Sequence, residues 1–335
     1  MTEPGVAPRG AEPRGARVIR RLFRRAILTL IAAVTAVTAA SIGYNLATDG
    51  NAARPAGLRM IRGGGFDTRY LAWGRAGSRG SPIVLVPGAF ETADTFATLG
   101  PVLGLHHRVF AIDLSGSGYS ATSPPFDASH LAAQLLAFVR AMHLTGANAP
   151  VLVGHSSGAA VVGMAVLLDR AAAAGIVFLD GDGTPLPFPP VIGWVLINPY
   201  RTTLARLVLS SSWLIRQIYQ SQCGPDCRPL SAAGVQTWRR PLEQPGFLDE
   251  VAYEMRHGIP SMSVPQLRAL RAVAVAKAVI YGRNDPQLSS SDARATAARI
   301  GALPPVAIPG RHLTMISSPR QLAAALSAFA RLIGG

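Results

Sequence analysis

Charged side chains are scarce in this chain: 15% of its 335 residues, against 49% that are hydrophobic. That balance excludes wholesale disorder and leaves enough apolar material for a sizeable core. No internal repeat of fixed period is present, which excludes a solenoid or a propeller. Carboxylates are the minority charge, 18 against 32 Lys and Arg, for a formal net charge of +14. The clustered footprint of nucleic-acid binding is nevertheless missing. The cations are nearly all Arg and scattered, and beyond the N-terminus no dense basic run carries interleaved aromatics. No nucleic-acid partner is expected. Cysteine is limited to Cys223 and Cys227, in "QCGPDCR". A metal site would need more ligands, and no His lies nearby. A C-x-x-C redox pair has a different spacing. Outside the cytoplasm, two Cys four apart around Gly224-Pro225 can close a small structural disulfide loop that pins a turn and not the core.

Charge is densest at the start. Residues 1–25 hold seven Arg and two Glu, and "RRLFRR" at residues 20–25 is followed by 21 uncharged residues, 26–46. A helix of that length, rising 1.5 Å per residue, crosses a hydrocarbon core of about 30 Å. Arg-rich flanks stay cytoplasmic, so the C-terminal bulk is expected outside. A buried core helix is one alternative. A cleaved signal is another: "TAAS" at residues 38–41 offers small residues at a cleavage point, although the apolar run continues past it. Arg20-Arg21-Leu22-Phe23 also carries part of a twin-arginine export pattern. The expectation is a single-pass anchor in the cell membrane, with secretion after cleavage as the alternative.

After a linker at residues 47–64, the chain alternates. "TRYLAWG", "PIVLVPG", "HRVFAIDLSGSG", "APVLVG", "GIVFLDG", "KAVIYGRND" and "PVAIPGRH" read as strands. Residues 129–144, opened by a Ser cap, the run "GAAVVGMAVLLDRAA" and "SPRQLAAALSAFARLI" read as helices. Strands alternating with helices predict an α/β fold, a mostly parallel sheet covered on both faces. Residues 184–265 break the alternation. They open with "TPLPFPPVIGW", run through "RTTLARLVLSSSWLIRQIYQS" as one long apolar helix, and contain no convincing buried strand. This segment predicts a helical cap over a pocket, dividing the core into residues 65–183 and 266–335.

Such sheets bind ligands at the carboxyl ends of their strands. The turn Pro87-Gly88-Ala89 and the polar residues Asp113, Ser156, Asp180, Asp285 and His312 gather there. Gly154-x-Ser156-x-Gly158 has the spacing of a strained turn that projects a serine hydroxyl, with a buried strand before it and a small-residue helix after it. The start of that helix presents the Ser157 amide where an oxyanion would form. A serine needs a base and the base an orienting acid, and His312 and Asp285 follow later strands in the order Ser…Asp…His.

These residues resemble the α/β-hydrolase superfamily from about residue 65 to 333. "LVPGAFETADTF" resembles its oxyanion segment, "DLSGSGYS" its Asp-x-x-Gly-x-Gly-x-Ser loop, "VGHSSG" its nucleophile elbow, "YGRNDP" its acid loop and "GRH" its histidine loop. The resemblance implies Ser156 as nucleophile, His312 as base, Asp285 as acid, and the amides of Ala89 and Ser157 as oxyanion hole. Asp180 is the alternative acid, since some members carry the acid after that earlier strand. Asp113 has a structural counterpart in the family. Pro87 stands where the family usually has His, so the hydrogen bonds supporting the oxyanion loop must differ. Ser at the elbow excludes haloalkane dehalogenase and epoxide hydrolase chemistry, which use Asp there. The implied activity is hydrolysis of an ester or thioester of a small hydrophobic substrate through an acyl-enzyme, without cofactor. Acyl transfer, a cofactor-free perhydrolase or haloperoxidase reaction, and a non-catalytic binding role are the alternatives.

Overall fold

The computed structural model describes residues 14–48, 54–75, 77–78, 80–186, 197–244 and 246–334. Apolar runs short enough for strands form β1 (Met60–Gly63), β2 (Phe66–Trp73), β3 (Gly80–Val86), β4 (His107–Ile112), β5 (Val151–His155), β6 (Gly175–Leu179), β7 (Ala276–Gly282) and β8 (Val306–Ile308). They make one eight-stranded sheet in the order β1-β2-β4-β3-β5-β6-β7-β8. β1 pairs antiparallel with β2 and β2 with β4; from β4 to β8 every pair is parallel. The inner parallel strands β3 to β7 are mostly buried on both faces, so they read as continuous apolar runs, while β8 at the edge is partly exposed.

Alternate side chains feed two cores. Val84, Leu152, Ile176 and Phe178 point to one, with the helices Ala128–Ala141, Gly158–Leu168 and Ser290–Ile300. Ile83, Val153, Val177 and Leu179 point to the other, with Leu99–Leu103 and the closing helix Pro319–Gly334. The helix Gly158–Leu168 is apolar all round because the sheet and neighbouring helices cover it.

Two local readings change. The helix expected at residues 129–144 runs Ala128–Ala141, and its cap is Asp127, whose carboxylate accepts from the amides of Ser129 and His130, 2.9 Å each. The single long helix expected through residues 201–221 is two, Tyr200–Ser210 and Ser212–Cys223. Three consecutive serines cause the break: Ser211 turns extended (φ −85°, ψ 98°), and its hydroxyl accepts from the Leu214 amide at 3.2 Å. With Ala232–Leu242, Phe247–His257 and Val264–Ala269, these are the α-helices described between β6 and β7. Most of the cap's expected opening, residues 187–196, lies outside the described residues, as do residues 1–13 of the Arg-rich start and 49–53 of the linker.

The N-terminal helix, Arg14–Ala47, stands apart from both cores. Its residues 18–47 are long and apolar enough to cross a membrane, and nearly all are exposed, which removes the reading as a buried core helix.

Candidate active site

β5 delivers Ser156 into a turn with φ +51°, a left-handed conformation costly for a residue with a Cβ. The turn is held by the bond from the Ser156 amide to the Leu179 carbonyl, 2.9 Å. Only glycine fits on either side. A Cβ at Gly154 would lie 2.1 Å from the Gly158 carbonyl oxygen, and one at Gly158 would lie 2.5 Å from that of Pro87. The spacing in the sequence is thus a packing requirement that pushes the serine out of the turn.

His312 follows β8 and Asp285 follows β7. His312 Nδ1 donates to Asp285 Oδ2 at 2.9 Å, and Asp285 Oδ1 accepts from the Gln287 amide at 2.7 Å. Both are buried. His312 Nε2 has no hydrogen-bond partner among the described residues, and His312 and Ser156 line the same cavity. The alternative acid is occupied elsewhere. Asp180 Oδ1 accepts from the Gly282 amide at 2.6 Å and Oδ2 from the Thr314 hydroxyl. Burial pushes its carboxyl up to about 7, only partly opposed by the nearby histidines. Asp113 is also structural in its contacts. It accepts from the Ala93 and Tyr119 amides and from Arg69, fixing the second half of the oxyanion segment.

The amides of Ala89 and Ser157 find no acceptor among the described residues, and Ser157 is the N-cap of the helix Gly158–Leu168. Two free N–H groups and a helix N-terminus beside a serine make a site for a developing negative charge.

Pro87 leaves the loop without its usual support, and Glu91 supplies another. Glu91 Oε2 accepts from the Gly88 amide at 3.1 Å and from His155 Nδ1 at 2.8 Å. His155 Nε2 donates in turn to the backbone carbonyl of His312 at 2.8 Å. A carbonyl oxygen only accepts, so Nε2 carries a proton. With Nδ1 donating to the carboxylate, the ring is an imidazolium. Burial opposes that charge, but Glu91 outweighs it and raises His155 to about 9. Burial likewise opposes the Glu91 carboxylate, and His155 holds it below its usual range. Nothing in the sequence spacing ties residue 91 to residue 155; the pairing of β3 with β5 does. His155 itself was visible as the variable position of the Gly-x-Ser-x-Gly motif.

Above these groups opens a cavity of about 530 Å³. The cap supplies most of its apolar wall, including Leu204, Val208, Ile218, Trp238, Phe247 and Met255. Cys223 and Cys227 are joined by a disulfide with Cα atoms 5.9 Å apart. The bridge is buried in the same core layer as Leu313 and Met315. Its turn reaches the histidine loop: Leu313 N donates to the Gln222 carbonyl at 3.3 Å, and Arg311 to the Ser221 carbonyl at 3.2 Å.

Comparison with known proteins gives the family and the fold. Residues 83–325 match the model of the alpha/beta hydrolase family. The chain is 32% identical over 114 residues to 2-hydroxy-6-oxo-6-(2'-aminophenyl)hexa-2,4-dienoic acid hydrolase of Metapseudomonas resinovorans. That match takes in 32% of this chain and 37% of the relative, so it spans just over a third of the relative's length. Among solved structures, a thermophilic esterase from Thermogutta terrifontis superposes with a TM-score of 0.65 at 20% identity, over 84% of this chain and 100% of that one. A membrane phospholipase A described as a bacterial virulence factor superposes with a TM-score of 0.64 at 16% identity, over 94% of this chain and 99% of that one. The greater coverage takes in part of the N-terminal helix. The chain belongs to the alpha/beta hydrolase family.

Proposed function

We propose that this chain is a membrane-anchored serine hydrolase, with its catalytic domain outside the cytoplasm, that cleaves an ester of a hydrophobic acid through an acyl-enzyme. The observation that carries the reading is a left-handed serine and a histidine with one free ring nitrogen on the floor of an apolar cavity. Ser156 Oγ attacks the acyl carbonyl carbon, and its proton passes to His312 Nε2. The carbonyl oxygen takes the negative charge and accepts hydrogen bonds from the Ala89 and Ser157 amides. Asp285 holds the Nδ1 proton, which fixes the tautomer and stabilises the imidazolium. The tetrahedral adduct collapses, the C–O bond to the alcohol breaks, and the alkoxide leaves with the proton from His312. Water then repeats the attack on the acyl-enzyme, with His312 as base, releasing the acid and restoring Ser156. The apolar wall favours a long acyl group over a short one, since each buried methylene contributes about 0.8 kcal/mol.

The test is labelling of the full chain with a fluorophosphonate probe, followed by p-nitrophenyl ester hydrolysis across chain lengths. Wild type and Ser157→Ala are expected to label and turn over, because residue 157 acts through its backbone. Ser156→Ala is expected to do neither, with a rate loss approaching the roughly 10⁶-fold seen for a protease triad. A chain that stays unlabelled when folded sinks the reading.

A further inference from the structure

We propose that the cap rests in the outer face of the bilayer and that the cavity takes the acyl chain of an ester-linked bilayer lipid. This rests on the anchored, serine-hydrolase reading above and adds where the substrate comes from.

The N-terminal helix is bonded to the cap through its last turns. The Thr38 hydroxyl pairs with the Tyr200 hydroxyl, and Asn45 Nδ2 donates to the Pro199 carbonyl at 2.9 Å. The Thr203 hydroxyl donates to Asn45 Oδ1 at 3.1 Å, and Arg206 donates to the Asn45 carbonyl and to the Thr48 hydroxyl. These bonds fix the depth of the cap. An uncharged run of residues 26–46 fills the hydrocarbon thickness, and Thr38 lies eight residues, about 12 Å along the axis, before its outer end. The cap segment bonded to residues 38–48 is therefore held in the outer leaflet and its headgroup layer.

That segment has the surface such a position requires. Trp213 is 65% exposed, Ile197 55%, Ile218 54% and Leu207 48%. Residues 197–225 carry three Arg and no carboxylate. Exposed apolar side chains with an aromatic and cations alone suit an interface with anionic headgroups.

The helix Tyr200–Ser210 also connects this surface to the chemistry. Tyr200, Thr203 and Arg206 face the N-terminal helix, while Leu204, Ala205 and Val208 line the cavity. One helix, about 10 Å across, separates the membrane helix from the acyl cavity. Leu186, Leu204 and Ile218 line the cavity and are yet about half exposed, so the cavity opens through this apolar flank. An acyl chain leaving the outer leaflet reaches Ser156 without passing through bulk water.

The experiment uses the full chain reconstituted into vesicles of phosphatidylcholine and phosphatidylglycerol. Alkaline carbonate extraction comes first: release from the vesicles overturns the anchor, and this inference with it. For a retained chain, doxyl-labelled phosphatidylcholine is expected to quench tryptophan fluorescence, and Trp213→Phe to remove most of that quenching. A retained chain whose Trp213 is not quenched overturns the inference while leaving the anchor standing. The third measurement compares fatty-acid release from vesicle phosphatidylglycerol with hydrolysis of p-nitrophenyl acetate. Wild type is expected to do both. Leu207→Asp combined with Trp213→Asp is expected to lose about tenfold or more of the vesicle activity and keep the acetate activity, since charge is expelled from the membrane. Acetate hydrolysis with no fatty-acid release by wild type, or full vesicle activity in the variant, overturns the lipid substrate. Failure on both substrates by wild type overturns the hydrolase reading instead.

Discussion

His155 and Glu91 meet at 2.8 Å beneath the candidate nucleophile, and the other nitrogen of His155 holds the carbonyl of His312. One buried imidazolium thus ties the oxyanion segment, the elbow and the histidine loop together. It stands in for the support that Pro87 removes.

The first prediction concerns this clamp. His155 is raised, so the folded chain holds that proton more tightly than the unfolded chain does. Its contribution is complete below the ordinary histidine pKa and fades as pH rises through about 9. Glu91 is held low, so its contribution is present above the ordinary carboxylate range and is lost as pH falls through its folded value. The clamp is therefore closed across neutral pH. Glu91→Gln is expected to lower kcat by about 10²-fold, the cost of a small misplacement of reacting groups. KM should change little, and the alkaline limb of the kcat–pH profile should move toward neutral. An unchanged pH profile would leave Glu91 a packing residue and nothing more.

The second prediction separates two buried carboxylates. Asp285→Asn is expected to cost about 10⁴-fold in kcat, because an amide presents the wrong partner to His312 Nδ1–H. Asp180→Asn is expected to cost far less. Its carboxyl is pushed up to about 7 and is bonded to Gly282 and Thr314, so a neutral side chain of the same shape fits its place. Rates at matched stability decide between them; a severe Asp180→Asn would return the acid to the earlier strand.

How much of this is legible in the sequence follows from range. β5, the elbow and the helix after it are local, so the run around residues 151–163 shows them. Asp285 and His312 are legible because both follow buried strands, and a parallel sheet gathers strand ends. Glu91 is not legible, because its partner lies 64 residues away and no periodicity links them. The break at Ser211 is a local event that apolar spacing overrides on paper, since Leu, Trp and Ile continue the helical pattern across it. The bonds from Asn45 and Thr38 to the cap lie more than 150 residues apart in the chain, beyond any pattern.

A third prediction concerns Glu250 and Glu254, one turn apart on the helix Phe247–His257 and both buried. Glu250 accepts from the Ser117 hydroxyl, while both carboxyl oxygens of Glu254 have no hydrogen-bond partner among the described residues. Burial raises both, and for Glu254 the neighbouring Glu250 adds to it. A raised carboxyl binds its proton more tightly in the folded state. Stability from this pair is thus full at acid pH and declines as pH rises above the ordinary Glu range of about 4.3. Glu254→Gln is expected to raise Tm at pH 8.5 by about 2–4 °C per kcal/mol gained, and to change it little at pH 4.5. Calorimetry at the two pH values checks it; an equal effect at both would mean the carboxyl is not the source.

The last prediction concerns the disulfide. A bridge that only pinned a cap turn would change chain-length preference and spare a small ester such as acetate. The contacts of the turn argue for more. Gln222 and Ser221, just before Cys223, accept from Leu313 and Arg311 on either side of His312. Gln287 Nε2 also donates to Gln222 Oε1 at 2.8 Å, and Gln287 N donates to Asp285. The turn therefore braces the acid loop and the histidine loop together. A five-residue loop contributes about 2 kcal/mol through the unfolded chain, too little for its loss to unfold a domain with two layers of core. Replacing both cysteines with alanine is expected to leave the circular dichroism spectrum intact and to lower kcat for acetate and long-chain p-nitrophenyl esters by a similar factor. A variant that loses only the long-chain rate would show that the brace ends at the cap. One with unchanged rates on both would show that the histidine loop holds its place without it.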